Sequence, residues 1–217
     1  MFLERLLARN PELATAAVRM HQAGKVRANT YLLDLDTMSA NAARFRAAAE
    51  ENGLFVYFMA KQFGYNPDAC RALIAARLPS AVCVDMQGLA AHRRHGVPVG
   101  HVGHLVQPHR GAEQDVLGAD PEVVTVFSLE VAHRLAQATR RVGKEQAVLL
   151  RVHAPGDTFY FGHGGGFPLE GIEEAAAAIR RLGGLRVAGV TSGSSRGVCG
   201  DGGCCRYGCG ACTRPIG

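Results

Sequence analysis

Lys61 follows directly on the uncharged apolar run of residues 55–60, and Gly64 and Pro67 come soon after it. Such a run predicts a strand buried on both faces, and glycine and proline predict a turn into a helix. Lys61 is therefore expected where a parallel strand meets its loop, the place where α/β folds collect binding and catalytic groups. A lysine desolvated there becomes a nucleophile for Schiff-base chemistry, while a lysine that extends into water is the alternative.

Further polar side chains follow other predicted strands. If all these strands are parallel, their carboxyl ends share one rim, and the polar groups meet above one pocket. Asp85 could instead cap the next helix, and a histidine at a strand end is often satisfied by backbone. The residues at these predicted strand ends are Lys61, Asp85, His104, Arg151, His153 and Ser192.

Arg151 closes the apolar run of residues 148–150, so its guanidinium is expected to need an acidic partner or a ligand anion. A metal site built from Asp85 and nearby histidines is disfavoured, because no pair has the short or helical spacing that zinc sites use. No metal is predicted.

Strand and helix patterns alternate along the chain. Strands joined repeatedly by one helix and two short turns predict a parallel sheet with right-handed crossovers. A dinucleotide-binding sheet is disfavoured, since no Gly-x-Gly-x-x-Gly follows the first strand, and a (β/α)8 barrel is the better prediction. The predicted strands are 30–36, 55–60, 81–84, 97–104, 123–127, 147–152 and 185–190; the predicted helices are two pieces in 1–24, then 37–51, 67–77, 86–95, 111–117, 128–142 and 169–182.

The segment Leu32-Leu-Asp-Leu-Asp36, followed by a helix and by Lys61 with Tyr65 four residues on, resembles the amino-terminal domain of alanine racemase and its relatives, the fold-type III enzymes that use pyridoxal 5′-phosphate (PLP). The resemblance implies that Lys61 carries PLP as a Schiff base and serves as acid or base at the substrate Cα. It also implies that Tyr65 approaches the cofactor phosphate.

The same resemblance places Asp85, Arg151 and Ser192 around the cofactor, and their strand-end positions add His104 and His153 to the predicted site. Asp85 and Arg151 match an acidic residue and an arginine of the cofactor site, and His104 and His153 are expected there as well. Ser192 stands where many members have a histidine stacked on the pyridine ring, so the usual imidazole is missing.

The activity implied is PLP-dependent racemisation of an amino acid or amine, with a homodimer for the intact family member. Decarboxylation or aldol cleavage by the same fold is the alternative within enzymes. A non-catalytic PLP-binding protein, which needs only one complete barrel, is the alternative outside them.

Composition excludes several classes. The chain has 217 residues and a formal net charge of +5, with its Lys and Arg dispersed, so nucleic-acid binding has no support. No secretory signal or apolar run of membrane length is visible, and a cytoplasmic protein without membrane contact is expected. Only Cys70 and Cys83 precede residue 193, which suits a reducing compartment.

Residues 193–217 differ sharply in composition, with eight glycines, five cysteines and no periodicity. We interpret this segment as an unstructured tail from a reading-frame shift or a wrongly joined end; a zinc module on its cysteines, Cys199, Cys204, Cys205, Cys209 and Cys212, is the alternative. The predicted domains are a helical segment (1–27), an incomplete barrel of about six strands (28–192) and the tail. A barrel needs eight strands, so the chain by itself is expected to be inactive.

Overall fold

A computed structural model describes residues 2–159 and 162–192. The predicted tail, and with it the zinc-module alternative, lies outside the described residues. Helices and strands alternate from residue 67 onward, which confirms the predicted α/β class. The helices are α1 (Phe2–Arg9), α2 (Pro11–Gln22), α3 (Leu35–Glu51), α4 (Pro67–Ala75), α5 (Met86–Arg94), α6 (Glu113–Gly118), α7 (Leu129–Val142) and α8 (Ile172–Arg181); the strands are β1 (Ala81–Cys83), β2 (Val99–Val102), β3 (Val123–Val126), β4 (Gln146–His153), β5 (Phe167–Pro168) and β6 (Leu185–Thr191).

The six strands form one sheet in which every pair is parallel. Its order is β1-β2-β3-β4-β5, and β6 also pairs with β4. Helices α5, α6, α7 and α8 lie in the crossovers that lead to β2, β3, β4 and β6, because parallel neighbours cannot be joined by a tight turn. The carboxyl ends of the strands therefore lie at one edge, as the repeated strand-helix pattern predicts.

The predicted strand over residues 30–36 is wrong. Helix α3 already begins at Leu35, and Asp34 caps it by accepting hydrogen bonds from the backbone N–H of Thr37 (2.9 Å) and from its hydroxyl (2.8 Å). An aspartate that accepts hydrogen bonds from the third residue after it stabilises a helix start. The helix therefore forms here in place of the extended structure that the apolar alternation predicts. Tyr31 of this segment is 93% exposed.

The strand predicted over residues 55–60 is reduced to one bridge. Phe58 pairs in parallel with Ala81: its N–H donates to the carbonyl of Ser80, and its own carbonyl accepts from the N–H of Val82 (2.9 Å). The segment lies beside β1 with no second partner strand among the described residues, so only one side of its backbone is paired. We call residues 55–60 the edge segment.

Two smaller differences concern the ends of elements. The strand predicted over 97–104 is limited to Val99–Val102, because Gly103 turns the chain with a positive φ of 83°. The two-residue strand β5 has no counterpart among the predictions; it pairs with Val152 and His153 at the end of β4.

The apolar side chains form two separate cores. The larger core packs α5 to α8 against the sheet and includes Val124, Leu150 and Ile179. The smaller core joins α3 and α4 to the edge segment through Ala42, Phe58 and other buried side chains. Among the described residues, no helix has the length and apolar character needed to cross a bilayer.

Candidate functional site

Lys61 opens a short 3-10 turn, Lys61–Phe63, that follows the edge segment. The strand that was predicted to end just before Lys61 is reduced to the single bridge at Phe58. Lys61 is exposed. Its surroundings therefore match the lysine that extends into water and not the desolvated lysine. Its amine is available from solvent at the carboxyl-terminal edge of the sheet.

Tyr65 lies four residues beyond Lys61 in the left-handed backbone region, with φ of 57°. Burial raises the pKa of its phenol; the nearby charge of Asp85 and a hydrogen bond to Asp85 raise it further. Asp85 also caps α5, accepting the N–H of Gly88 at 2.7 Å. The capping role of Asp85 is therefore present, together with a contact to a second predicted site residue.

His104 follows β2 and is half-buried. Its Nδ1 is buried and has no hydrogen-bond partner in the described part of the chain. Burial lowers the pKa of the imidazole, and the positive charges of Arg151 and Lys61 lower it further, so the ring is neutral near pH 7. The ring of His101 packs against it edge to face, with centroids 5.4 Å apart.

Arg151 is fully buried in β4. Its Nη1 donates to the backbone carbonyl of His104 (3.1 Å) and its Nη2 to that of His163 (2.9 Å). Its guanidinium carbon lies 4.9 Å from the ring centroid of Phe127 and 5.5 Å from that of Phe159. Two carbonyls and two aromatic faces meet the guanidinium, no carboxylate pairs with it among the described residues, and burial lowers its pKa. The ligand anion stays a prediction.

Two glycines allow a loop to lie on Arg151. A Cβ at Gly166 would stand 2.5 Å from the Arg151 carbonyl oxygen, and one at Gly165 would stand 3.3 Å from the Phe127 ring. Both glycines have φ near +118°, which side-chain-bearing residues avoid. The glycine-rich stretch therefore serves close packing over Arg151.

The last two predicted site residues have positions at strand ends. His153 ends β4 and pairs with Pro168. Ser192 follows β6, whose Thr191 pairs with Arg151. The structure thus links two groups of predicted residues: Tyr65 with Asp85, and His104 with Lys61 and Arg151. For His153 and Ser192 a role at the site stays a prediction.

Several polar residues near this rim were missed or underrated by sequence reasoning. His101 lies 2.6 Å from the hydroxyl of Thr125 through Nε2, and burial, aided by His104, lowers its pKa to about 3. Gln107 donates to the carbonyls of Gly103 and Thr125 and accepts the N–H of Phe127, which ties the ends of β2 and β3 together. The sequence pointed to Thr125 only by placing a polar residue inside an apolar strand pattern.

His92 of α5 was also missed. It is 1% exposed, and its Nε2 has no hydrogen-bond partner among the residues that the structure describes. The rings of Phe58 and Tyr65 meet it edge to face, with centroids 6.4 and 5.5 Å away. Within the described part of the chain, no group of three or more His, Cys, Asp or Glu residues is placed to hold a metal ion.

Comparison with known proteins gives this geometry a context. YhfX of Escherichia coli (strain K12), an uncharacterized protein, is 37% identical over 191 residues, which cover 88% of this chain and 49% of YhfX. The chain therefore spans about half the length of this curated relative.

Two solved structures share the fold. D-threonine aldolase from Filomicrobium marinum superposes with a TM-score of 0.62 at 19% identity, covering 76% of this chain and 44% of that one. Diaminopimelate decarboxylase from M. jannaschii gives 0.62 at 16% identity, covering 80% and 43%. At such identities the likeness shows the fold alone, an α/β architecture of the PLP-enzyme barrel type.

The sequence profile of the alanine racemase N-terminal domain matches residues 33–195. That range contains Lys61, the rim residues and all six strands. It is a fold family of racemases, decarboxylases and aldolases whose cofactor is pyridoxal phosphate. The chain belongs to the family of the alanine racemase N-terminal domain.

Proposed function

We propose that this protein holds PLP on Lys61 and, as part of the whole enzyme, acts on an amino acid or amine, with racemisation as the reaction. The observation that carries the proposal is the position of Lys61. Lys61 stands directly after the edge segment, at the rim that also holds His104, Tyr65 and Asp85. Membership of the family supports the choice of cofactor.

The residues present at the rim fit such a group. The buried Nδ1 of His104 has no partner among the described residues, and it lies in the field of Lys61 and Arg151. A polar atom left unpaired inside a protein costs roughly 1–3 kcal/mol, which a ligand atom could recover. Arg151 uses two of its five N–H groups on carbonyls, which leaves donors for a ligand, and its role at the cofactor site stays a prediction.

When bound, PLP supplies an electron-accepting ring that stabilises negative charge at the substrate Cα. The protein's own part is to bind, orient and move protons. Lys61 Nζ would hold the cofactor and then give or take the proton at Cα. Tyr65 and His104 would bind polar groups of the ligand. Arg151 fixes the two loops that carry the carbonyls of His104 and His163.

Two other functions remain alternatives at the same lysine. Decarboxylation or aldol cleavage is favoured by the shared fold with a decarboxylase and an aldolase. A non-catalytic PLP-binding role would use the same attachment without turnover. A homodimer and a cytoplasmic location are proposed for the whole protein on the family resemblance.

The test is chemical trapping of the cofactor. The chain has only three lysines, Lys25, Lys61 and Lys144, so reduction with borohydride in the presence of PLP, followed by peptide mapping, assigns the label without ambiguity. We expect the label on Lys61 and its loss in Lys61→Ala. Lys144→Ala is the matched control, because Lys144 lies in an ion pair with Asp120 at 2.8 Å, outside this site.

Labelling spread evenly over the three lysines would contradict the proposal.

Incubation of the full-length protein with single-enantiomer amino acids, followed by chiral chromatography, separates the reactions: the opposite enantiomer indicates racemisation, and an amine or aldehyde product indicates one of the alternatives.

A further inference from the structure

The side-chain amide of Gln107 is fully used in hydrogen bonds to the backbone. Its Nε2 donates to the carbonyls of Gly103 (2.9 Å) and Thr125 (2.9 Å), and its Oε1 accepts the N–H of Phe127 (3.0 Å). The amide has two donor hydrogens, and each of them has one of these carbonyls. A reversed amide would set its oxygen against both carbonyl oxygens, so the partners fix its orientation. Gln107 therefore joins the loop after β2 to the end of β3.

Gly103 allows this close approach. A Cβ at Gly103 would stand 2.8 Å from the carbonyl oxygen of Thr125 and 3.1 Å from Nε2 of Gln107. The φ of Gly103 is 83°, in the region that favours glycine. Both the space and the backbone conformation at this position thus serve the contact between the loop and β3.

His104 lies in this loop and is held by further contacts. Nη1 of Arg151 donates to its backbone carbonyl at 3.1 Å. The ring of His101 packs edge to face against its ring, with centroids 5.4 Å apart. His101 is itself fixed, because its Nε2 lies 2.6 Å from the hydroxyl oxygen of Thr125. The backbone and the ring of His104 are therefore held by different neighbours.

Nδ1 of His104 is left unpaired by this framework. It is buried and has no hydrogen-bond partner in the described ranges, although the Gln107 amide and the Thr125 hydroxyl beside it are satisfied. Buried polar atoms in proteins are nearly always paired. An imidazole that is held from several sides and still has an unpaired nitrogen is suited to bind a ligand, because little ordering remains to be done when the ligand arrives.

We propose that Gln107 and the pair formed by Thr125 and His101 are positioning residues for the imidazole of His104, which binds a polar group of the ligand at the rim. Gln107 acts on the backbone of the loop, and the pair acts on the ring. A neutral imidazole has one N–H and one lone pair, so it can bind a ligand oxygen or a ligand N–H. The ligand contact rests on the proposed function; the positioning of His104 does not.

The first measurement concerns the ligand-free full chain. Histidines labelled with carbon-13 at Cε1 are followed by NMR at constant pH, and the His104 resonance is assigned by its loss in His104→Ala. Gln107→Met keeps the length of the side chain and removes all three hydrogen bonds. We expect the His104 resonance to shift. The matched control is Gln114→Met, which changes an exposed glutamine of α6 and should leave the resonance in place.

Thr125→Val tests the contact on the ring. It removes the hydroxyl beside His101 and keeps the branched shape of the side chain. We expect the His104 resonance to shift here as well, through the ring of His101. The control is Thr139→Val: Thr139 is also fully buried, but its hydroxyl donates to the carbonyl of Ala136 within α7 at 2.9 Å. This control should leave the His104 resonance unchanged.

The second measurement is a double-mutant cycle on the affinity for pyridoxal 5′-phosphate, read by borohydride trapping at Lys61. Loss of one hydrogen bond to the ligand in His104→Ala should weaken binding by about tenfold. Gln107→Met should weaken it too, and in the His104→Ala background it should cause no further loss, because its effect passes through the imidazole. An equal loss in both backgrounds would show a general disturbance of the rim, which overturns the proposal.

The two parts of the proposal fail separately. An unshifted His104 resonance in both Gln107→Met and Thr125→Val refutes the positioning role, whatever the cofactor does. Full affinity in His104→Ala, with Lys61 still labelled, refutes the ligand contact and leaves the proposed function standing. Shifted resonances without any labelling of Lys61 in the wild type refute the proposed function and, with it, the ligand contact, while the positioning of His104 is confirmed.

Discussion

At the scale of single residues, Arg151 shows how a buried charge can be held without an opposite charge. Two backbone carbonyls and two aromatic faces surround its guanidinium, while its Nε has no hydrogen-bond partner within residues 2–159 and 162–192. Hydrogen bonds to a charged donor contribute roughly 1.5–3 kcal/mol each, which offsets part of the cost of burial. The loops after β2 and β4 are joined as a result.

The close packing of Gly166 on Arg151 gives a first prediction. Gly166→Ala adds a Cβ 2.5 Å from a backbone oxygen, at a φ of +117°. We expect a loss of about 3 kcal/mol or more in the free energy of unfolding, measured by urea titration. Gly143→Ala is the control: its φ is +64° but no atom lies within 4 Å, so only about 1 kcal/mol should be lost. Equal losses would mean that the contact with Arg151 is unimportant.

His101 gives a prediction about pH. Its pKa is about 3 in the folded chain, against an ordinary 6.5, because burial and His104 disfavour its charged form. The unfolded chain binds more protons below pH 6.5, so stability falls as the pH drops from about 6.5 to about 3. The contribution is on the order of 3 to 5 kcal/mol.

His101→Gln should flatten this pH dependence, as measured by urea unfolding at a series of pH values. The exposed His109→Gln, on the loop after β2, should leave it unchanged. An identical acid slope in wild type and His101→Gln would contradict the assignment.

The types of these residues could be predicted from the sequence, but their partners could not. Strand-end position predicted one rim for Lys61, Asp85, His104 and Arg151; the structure places Arg151 inside β4, with its guanidinium on the carbonyl of His104. Arg151 bonds the carbonyls of His104 and His163. The positions of the loops that carry these carbonyls cannot be predicted from local sequence patterns. Ser192 and His153 were placed at strand ends correctly, and their function there stays a prediction.

At the scale of elements, the edge segment shows where pattern reasoning fails. An apolar run predicts an extended strand, yet in residues 55–60 only Phe58 completes a ladder pair, and Ala60 already has helical backbone angles. Periodicity measures burial and not the number of hydrogen-bonded neighbours. The helices were predicted more accurately because capping residues such as Asn10, Asn66 and Ser128 act locally.

The edge segment is joined to the sheet through Tyr57. Its hydroxyl donates to Glu122 at 2.8 Å, and its ring fills the space above Gly100, where a Cβ would stand 2.0 Å from Cε1. Gly100→Ala should therefore displace the ring and lower the free energy of unfolding by about 2–3 kcal/mol. The measurement is urea unfolding.

A double variant supplies the check on this prediction. Tyr57→Ala removes the ring with which the new methyl group would collide, so Gly100→Ala should cost much less in that background. Additive losses would show that Gly100 is needed for another reason.

At the scale of the whole molecule, the two cores divide the chain into parts of unequal stability. The smaller core has eight buried apolar residues against nineteen in the larger one. Cys70 belongs to the smaller core and Cys83 to the larger, and both are fully buried. Regions with fewer buried contacts open at lower free energy.

Thiol labelling tests this division. With the five cysteines after residue 193 replaced by serine, only Cys70 and Cys83 remain. In moderate urea, and after correction for their labelling rates in the fully unfolded chain, we expect Cys70 to react on the order of ten times faster than Cys83. Equal corrected rates would show that both cores unfold as a single unit.

The parallel arrangement of the sheet has a consequence for synthesis on the ribosome. No neighbouring strands form a hairpin, so each pairing waits until the intervening crossover has emerged. β4 pairs with β3 and β6, and residues 154–184 separate it from β6. During the translation of those residues, β4 presents an open edge to other nascent chains, and this is the interval in which chaperone binding would matter most.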